Sequence, residues 1–141
     1  RLDAFLDAAP HRPAAHHPVE DLRIADNDIR DKLVNLGIPR EEIRFIHDAD
    51  TEAKKQELFR KVRSGEVRVL LGSTQKMGAG TNVQKRLIAL HHLDCPWRPG
   101  DLEQRSGRII RQGNRNKEVH IFRYVTESTF DAYLWVRHEV A

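Results

Sequence analysis

The run Val67-Arg68-Val69-Leu70-Leu71 constrains this chain more than any other stretch. It is rich in β-branched and leucine side chains, the composition of a strand covered on both faces. Residues 51–64 before it read as a helix that turns Leu58, Phe59 and Val62 inward and stops at Gly65. Residues 87–93 repeat the strand type. Around this unit, residues 26–36 read as a helix with Ile29, Leu33 and Leu36 on one stripe and Gly37 at its end. Residues 43–47 read as a short strand, and the Gln104 segment as a helix closed by Gly113. Residues 119–125 read as a strand, and 128–138 as a last helix carrying Phe130, Leu134 and Trp135. Strands alternating with helices predict an α/β fold: a parallel sheet with helices on both faces.

The 141 residues are enough for one domain with its own core. With 39% hydrophobic and 32% charged residues, a soluble protein is expected. No apolar run is long enough to span a bilayer and no signal-peptide pattern is present, so no membrane partner is expected. A lone Cys95 forms no internal disulfide, which suggests a reducing, cytoplasmic setting. Cys95 stands beside Pro96 with no obvious base, and reads as a small apolar filler. The chain begins at Arg1 without a methionine, as a piece of a longer protein would.

Residues 1–23 are the least regular part. Leu2, Phe5 and Leu6 could open a short helix, but Pro10, Pro13 and Pro18 break the stretch beyond it. His11, His16 and His17 lack partners at ligand spacing, so no metal site is expected. This reading divides the chain into an irregular segment, 1–23, and a domain, 24–141.

Charge is unevenly distributed within the net +3. Residues 20–57 are rich in Asp and Glu, whereas residues 76–123 carry Lys85, Arg86, Arg98, Arg105, Arg108, Arg111, Arg115 and Lys117 against few acids. Such polarity suits a polyanion, either nucleotide or nucleic acid. If the Gln104 segment stays helical, Gln104, Arg108 and Arg111 share one face, with Leu102, Ile109 and Ile110 on the other. Two arginines so placed suit phosphate oxygens, although a solvated basic face has the same spacing. Upstream, Gly78-Ala79-Gly80 comes after a strand exit, where backbone amides can approach a phosphate; an ordinary glycine turn has the same composition.

Together these segments resemble the second RecA-like lobe of superfamily-two helicases, particularly the Swi/Snf type. Ser73-Thr74-Gln75-Lys76-Met77-Gly78-Ala79-Gly80-Thr81-Asn82 is similar to motif V of that family. Asp94-Cys95-Pro96-Trp97-Arg98-Pro99 is similar to its Asp-Trp-Pro loop. Gln104, Gly107-Arg108, Arg111 and Gly113 match motif VI. The likeness covers residues 24–138. A narrower likeness is to the helicase portion of large phage and plasmid proteins that also carry an adenine-specific DNA methyltransferase. It rests on Asp28-Ile29-Arg30-Asp31-Lys32-Leu33, Ile46-His47-Asp48-Ala49-Asp50 and the motif V segment.

The resemblance implies roles. Arg108 and Arg111 match the arginines that reach the γ-phosphate of ATP across an interlobe cleft. Gln104, Gly78 and Gly80 would help order the nucleotide side of that cleft. Thr74 and the glycine loop would touch the DNA backbone, double-stranded DNA being expected, and couple it to the ATP site. Lys76, Lys85 and Arg98 fit phosphate contacts as well as solvated surface. Trp97 would stack or wedge its loop into the core, the second being preferred. ATP and Mg would be held mainly by an N-terminal RecA-like lobe, because GxxxxGK[ST] and an acidic pair for Mg are both lacking here. A fused methyltransferase would be a further partner. The family's lobe normally opens with a buried strand, and residues 11–23 are too rich in Pro and His for that role. That strand would then be missing or supplied from elsewhere. The alternatives are a degenerate helicase-like binding or scaffold module, favoured by the missing strand, and an unrelated α/β nucleotide-binding enzyme.

Overall fold

Five short strands assemble into one all-parallel sheet. The structure, a computed structural model, describes residues 4–7, 19–73, 82–125 and 127–140, with side chains from residue 27 to 139. The strands are β1 (Ala4–Asp7), β2 (Ile43–Phe45), β3 (Val69–Gly72), β4 (Ala89–His92) and β5 (His120–Arg123). The helices are α1 (Val19–Asn35), α2 (Glu52–Ser64), α3 (Pro99–Gly107) and α4 (Phe130–Val140). The spatial order is β2-β3-β1-β4-β5.

The central strand comes from the segment that the sequence marks as irregular. Ala4 pairs with Val69 on one side and Ala89 on the other, and the register runs to Asp7 with Gly72 and His92. The expectation of a short helix at Leu2–Leu6 and of a missing first strand is therefore corrected. Four residues before the first proline suffice, because both neighbouring strands supply the hydrogen bonds. A division at residue 23 also cuts through α1 and separates the sheet from its middle strand.

Alternation along the strands sorts the core onto two faces. Leu70 and Leu90 meet Leu58, Phe59 and Val62 of α2, and Ile109 joins them. Val69 and Leu71 point the other way, towards Ile29, Leu33 and Val34 of α1. Leu36 is outside that stripe at 82% exposure, since α1 ends at Asn35 and Gly37 turns the chain at φ 98°. A third cluster joins Leu102 of α3 to Leu134 and Trp135 of α4 around the buried Cys95. Phe130, at the start of α4, is exposed.

Helix α2 shows why the boundaries fall where they do. The Thr51 side chain accepts a hydrogen bond from the Lys54 amide at 3.3 Å, a cap contributing about 1 kcal/mol. Gly65 closes the helix in the left-handed region, φ 87°, with its N–H bonded to the carbonyls of Lys61 and Val62. A Cβ there would meet the Arg86 guanidinium at 2.9 Å, so both backbone conformation and space favour glycine.

Candidate nucleotide-facing turn

Helix α3 starts with Pro99 in its first turn, directly after Arg98 and a few residues beyond the end of β4. It ends at Gly107, earlier than the amphipathic spacing predicts. The last turn tightens: Arg108 N–H bonds the Arg105 carbonyl, and the Ile109 and Ile110 amides both bond Ser106. Gly107 and two β-branched isoleucines are weak helix formers, and Ile109 drops into the core instead. Gln104, Arg108 and Arg111 therefore do not share a helix face. Gln104 is exposed on α3, Arg108 is buried at 2% exposure in the turn after it, and Arg111 is exposed beyond. Ile110, expected to pack, is 65% exposed.

The arginine that the sequence did not single out holds this turn in place. Arg105 is fully buried, and its Nη1 donates to both the Asp94 carbonyl at 3.1 Å and Asp94 Oδ1 at 2.8 Å. A buried guanidinium needs such pairing to offset desolvation. The bond ties α3 to the loop leaving β4. Two of the cations counted as basic surface, Arg105 and Arg108, are thus inside the domain.

Beyond Arg111 the chain is stitched to the segment that starts at Asn82. Gln84, 6% exposed, donates from Nε2 to the Gln112 carbonyl at 2.9 Å. The Arg115 amide bonds the Lys85 carbonyl at 2.9 Å. Asn114 donates to the carbonyls of Leu87 and Ile109, and Asn116 donates to Leu87. Gly113 makes the bend at φ 92°. On its other side, Asn82 offers its carbonyl to Arg63 at 2.7 Å, and Arg86 reaches the Ser64 carbonyl at 3.3 Å. These carboxamides are the residues that sequence reasoning missed. Their signal was faint: uncharged polar side chains beside an apolar run, with partners about thirty positions away.

Lys85 is exposed on a 3-10 turn (Gln84–Arg86) beside this seam, and Arg98 is exposed at the start of α3. Thr74, Lys76, Gly78 and Gly80 lie outside the described residues, as do His11, His16 and His17. Trp97 does not wedge into the core. It is half exposed and stacks on Phe130 at 5.4 Å. Among the described residues no three His, Cys, Asp or Glu side chains converge on a metal position.

Two buried groups near Arg105 have displaced proton affinities. His92 is fully buried at the end of β4 against Trp135, with ring centroids 5.8 Å apart. Burial, then the charges of Arg105 and Arg123, push it down to about 4, so it is neutral near pH 7. Burial, then the carboxylates of Asp131 and Asp94, push the Cys95 thiol up to about 12, in keeping with an inert filler.

Comparison with known proteins bears on what such a turn serves. A protein of Escherichia phage P1, Defense against restriction protein B, is 34% identical over 59 residues, 42% of this chain and 3% of its own length. The uncharacterized ATP-dependent helicase YqhH of Bacillus subtilis (strain 168) is 37% identical over 79 residues, 56% of this chain and 13% of its own. The chain thus spans a small part of either relative. Among solved structures, the DUF1998 helicase MrfA bound to DNA superposes with a TM-score of 0.72 at 19% identity, covering 99% of this chain and 18% of that one. The C-terminal part of the Fun30 ATPase domain superposes with a TM-score of 0.69 at 17% identity, covering 96% and 38% respectively. These two likenesses establish the RecA-like fold of a helicase C-terminal lobe. Residues 24–113, from within α1 to the glycine that ends the Arg108–Arg111 turn, match the helicase conserved C-terminal domain, and the chain belongs to that family.

Proposed function

We propose that this domain is the second lobe of an ATP-driven DNA helicase or translocase. In this reading Arg111, and Arg108 with it, lend positive charge to the phosphates of an ATP molecule held on a first lobe. The observation that carries the proposal is the fixing of one turn from two sides. The buried Arg105–Asp94 bond anchors it before Arg108, and the Gln84–Asn116 seam anchors it after Arg111. A charge held in place before the reaction stabilises developing phosphate charge without a reorganisation cost. The residues present fit one wall of such a site. Arg111 is exposed at the surface, while Arg108, 2% exposed, reaches a phosphate on a first lobe only if its side chain turns out of the domain. Bound ATP with Mg supplies the cleavable phosphoanhydride and its counter-charge. Gln104, exposed one turn earlier on α3, borders the same wall.

DNA is the polyanion of choice because a solved relative of this fold, MrfA, is bound to DNA, and in a second crystal to DNA and AMPPNP. Lys85 and Arg98 are exposed and available to its phosphates; the resemblance to motif V adds Thr74 and Lys76 to that set. The competing scaffold reading drew its support from a missing first strand, and β1 occupies that place.

In a protein carrying both lobes, Arg108→Ala or Arg111→Ala lowers ATP turnover by about a thousandfold or more, the usual contribution of an arginine finger. ATP affinity stays within a few-fold. Turnover measured by phosphate release, alongside equilibrium binding of a fluorescent ATP analogue, decides it. Unchanged turnover in both variants refutes the assignment.

A further inference from the structure

Strand β5 ends one side of the sheet, and among the described residues no strand lies beyond it. The His120 amide donates to the Ile88 carbonyl at 2.9 Å, and the Tyr124 amide to the His92 carbonyl at 3.1 Å. Backbone groups alternate in direction along a strand, so those of Ile121 and Arg123 point away from the sheet. An open edge of this kind is a template for another strand. The side chains are sorted as well. Ile121 packs against the core on the α2 side, while Arg123 lies over the Trp135 ring and bonds Glu139 at 2.9 Å. His120, Phe122 and Tyr124 project from the opposite face, where α1 covers β2 and β3. There they form a ladder of near-parallel rings with His91, which lies 4.8 Å from Phe122 and 5.8 Å from Tyr124; His120 is 6.1 Å from Phe122. Phe122 and Tyr124 remain 44% and 49% exposed, and Val125 beyond them 46%. Parallel sheets are ordinarily covered on both faces, so a bare aromatic row at an open edge marks a contact surface.

We infer that β5 is an interface on which a second copy of this chain pairs antiparallel, about a two-fold axis at Phe122. The sequence around Phe122 is complementary to its own reverse. With Phe122 set against Phe122 of the second copy, His120 faces Tyr124, Val119 faces Val125, and Ile121 faces Arg123. Aromatic thus meets aromatic and β-branched meets β-branched, the cross-strand pairs that stabilise sheets. The backbone agrees with this register. Ile121 and Arg123, whose groups point outward, fall opposite each other as a hydrogen-bonded pair, and Phe122 meets its copy in the closer, non-hydrogen-bonded kind. Farther out, Lys117 and Glu127 are exposed and equidistant from Phe122, so each end of the pairing brings opposite charges together. A two-fold axis makes such a surface serve both partners at once, and the pairing closes at two copies. The interface uses no residue of the Arg108–Arg111 turn, so the inference stands apart from the proposed function.

Sedimentation equilibrium of a protein carrying both lobes, over about a hundredfold range of concentration, tests it. A concentration-dependent dimer is expected. Phe122→Lys sets two like charges at the axis and should weaken that dimer by about tenfold or more. Lys117→Glu and Glu127→Lys should each weaken it by about tenfold, because each sets like charges together at both ends, and the two combined should restore it. The charge reversals lie outside the strand, so they read the interface even where Phe122→Lys disturbs folding. Mild oxidation of the Phe122→Cys variant should give a disulfide-linked dimer, and peptide mapping should find position 122 joined to itself. Val125→Cys, which faces Val119 of the second copy, should give no such link. A monomer at every concentration overturns the inference, and shows β5 either bare or covered by another segment of the longer chain. A dimer that resists Phe122→Lys and both charge reversals forms elsewhere on the molecule and overturns it equally.

Discussion

Protonating His92 should weaken this domain by an amount the structure lets us work out. The ring is fully buried, neither nitrogen has a hydrogen-bond partner among the described residues, and its pKa is pushed from 6.5 down to about 4. The unfolded chain accepts a proton as pH falls through 6.5, while the folded protein resists until about 4. The neutral ring is therefore fully accommodated above pH 6.5, and stability drains between that value and 4. The two values give a loss of about 2 kcal/mol at pH 5 and a ceiling of about 3 kcal/mol below pH 4. Urea denaturation of the wild type and of His92→Leu at pH 7.5 and pH 5, monitored by tryptophan fluorescence, isolates the term because the other histidines titrate in both proteins. Trp135 lies against His92 and reports the unfolding directly. We expect the wild type to lose about 2 kcal/mol more than the variant between the two pH values. Equal losses would show that His92 titrates normally and that its burial does not penalise the charged form.

Two further outcomes are expected from neighbouring residues. Asp94→Ala leaves the Arg105 guanidinium buried without its carboxylate, and should lower stability by about 3–5 kcal/mol by chemical denaturation, whereas Asp94→Ala combined with Arg105→Met should recover much of the loss. Cys95, with a thiol pushed up to about 12 by burial, should be unreactive to a thiol-specific reagent at pH 8 and become reactive on unfolding; fast labelling of the native protein would contradict its placement in the core.

Much of the fold is legible in the sequence because its signals are local. Glycines at 37 and 65 stop helices in left-handed conformations, and the Val67–Leu71 run can be accommodated only between two covered faces. The central strand is not legible for the same reason turned round. Ala4-Phe5-Leu6-Asp7 has no β-branched residue and no alternation, and its pairing is dictated by strands far along the chain. The motif spacing singled out the turn after α3 but misjudged its backbone. Ile109 and Ile110 continue a helical period that Gly107 has already ended, so the face shared by Arg108 and Arg111 does not form. Which arginines are buried is a tertiary matter. For Arg105 it is decided by Asp94, eleven residues away, which accepts from it.

The position of β1 has a consequence for how the protein is made. Strands β3 and β4 do not pair with each other; both pair with β1, which lies between them. Without that insert the sheet is two separate ribbons, β2-β3 and β4-β5. Of these five strands β1 is made before the others, and one of its edges stays unfilled until Ala89–His92 has been synthesised. During that interval its edges are open to strands of other chains. The same geometry makes the insert separable in principle: a peptide bearing Ala4–Asp7, supplied in trans to a chain that lacks it, has a slot with hydrogen-bonding partners on both sides.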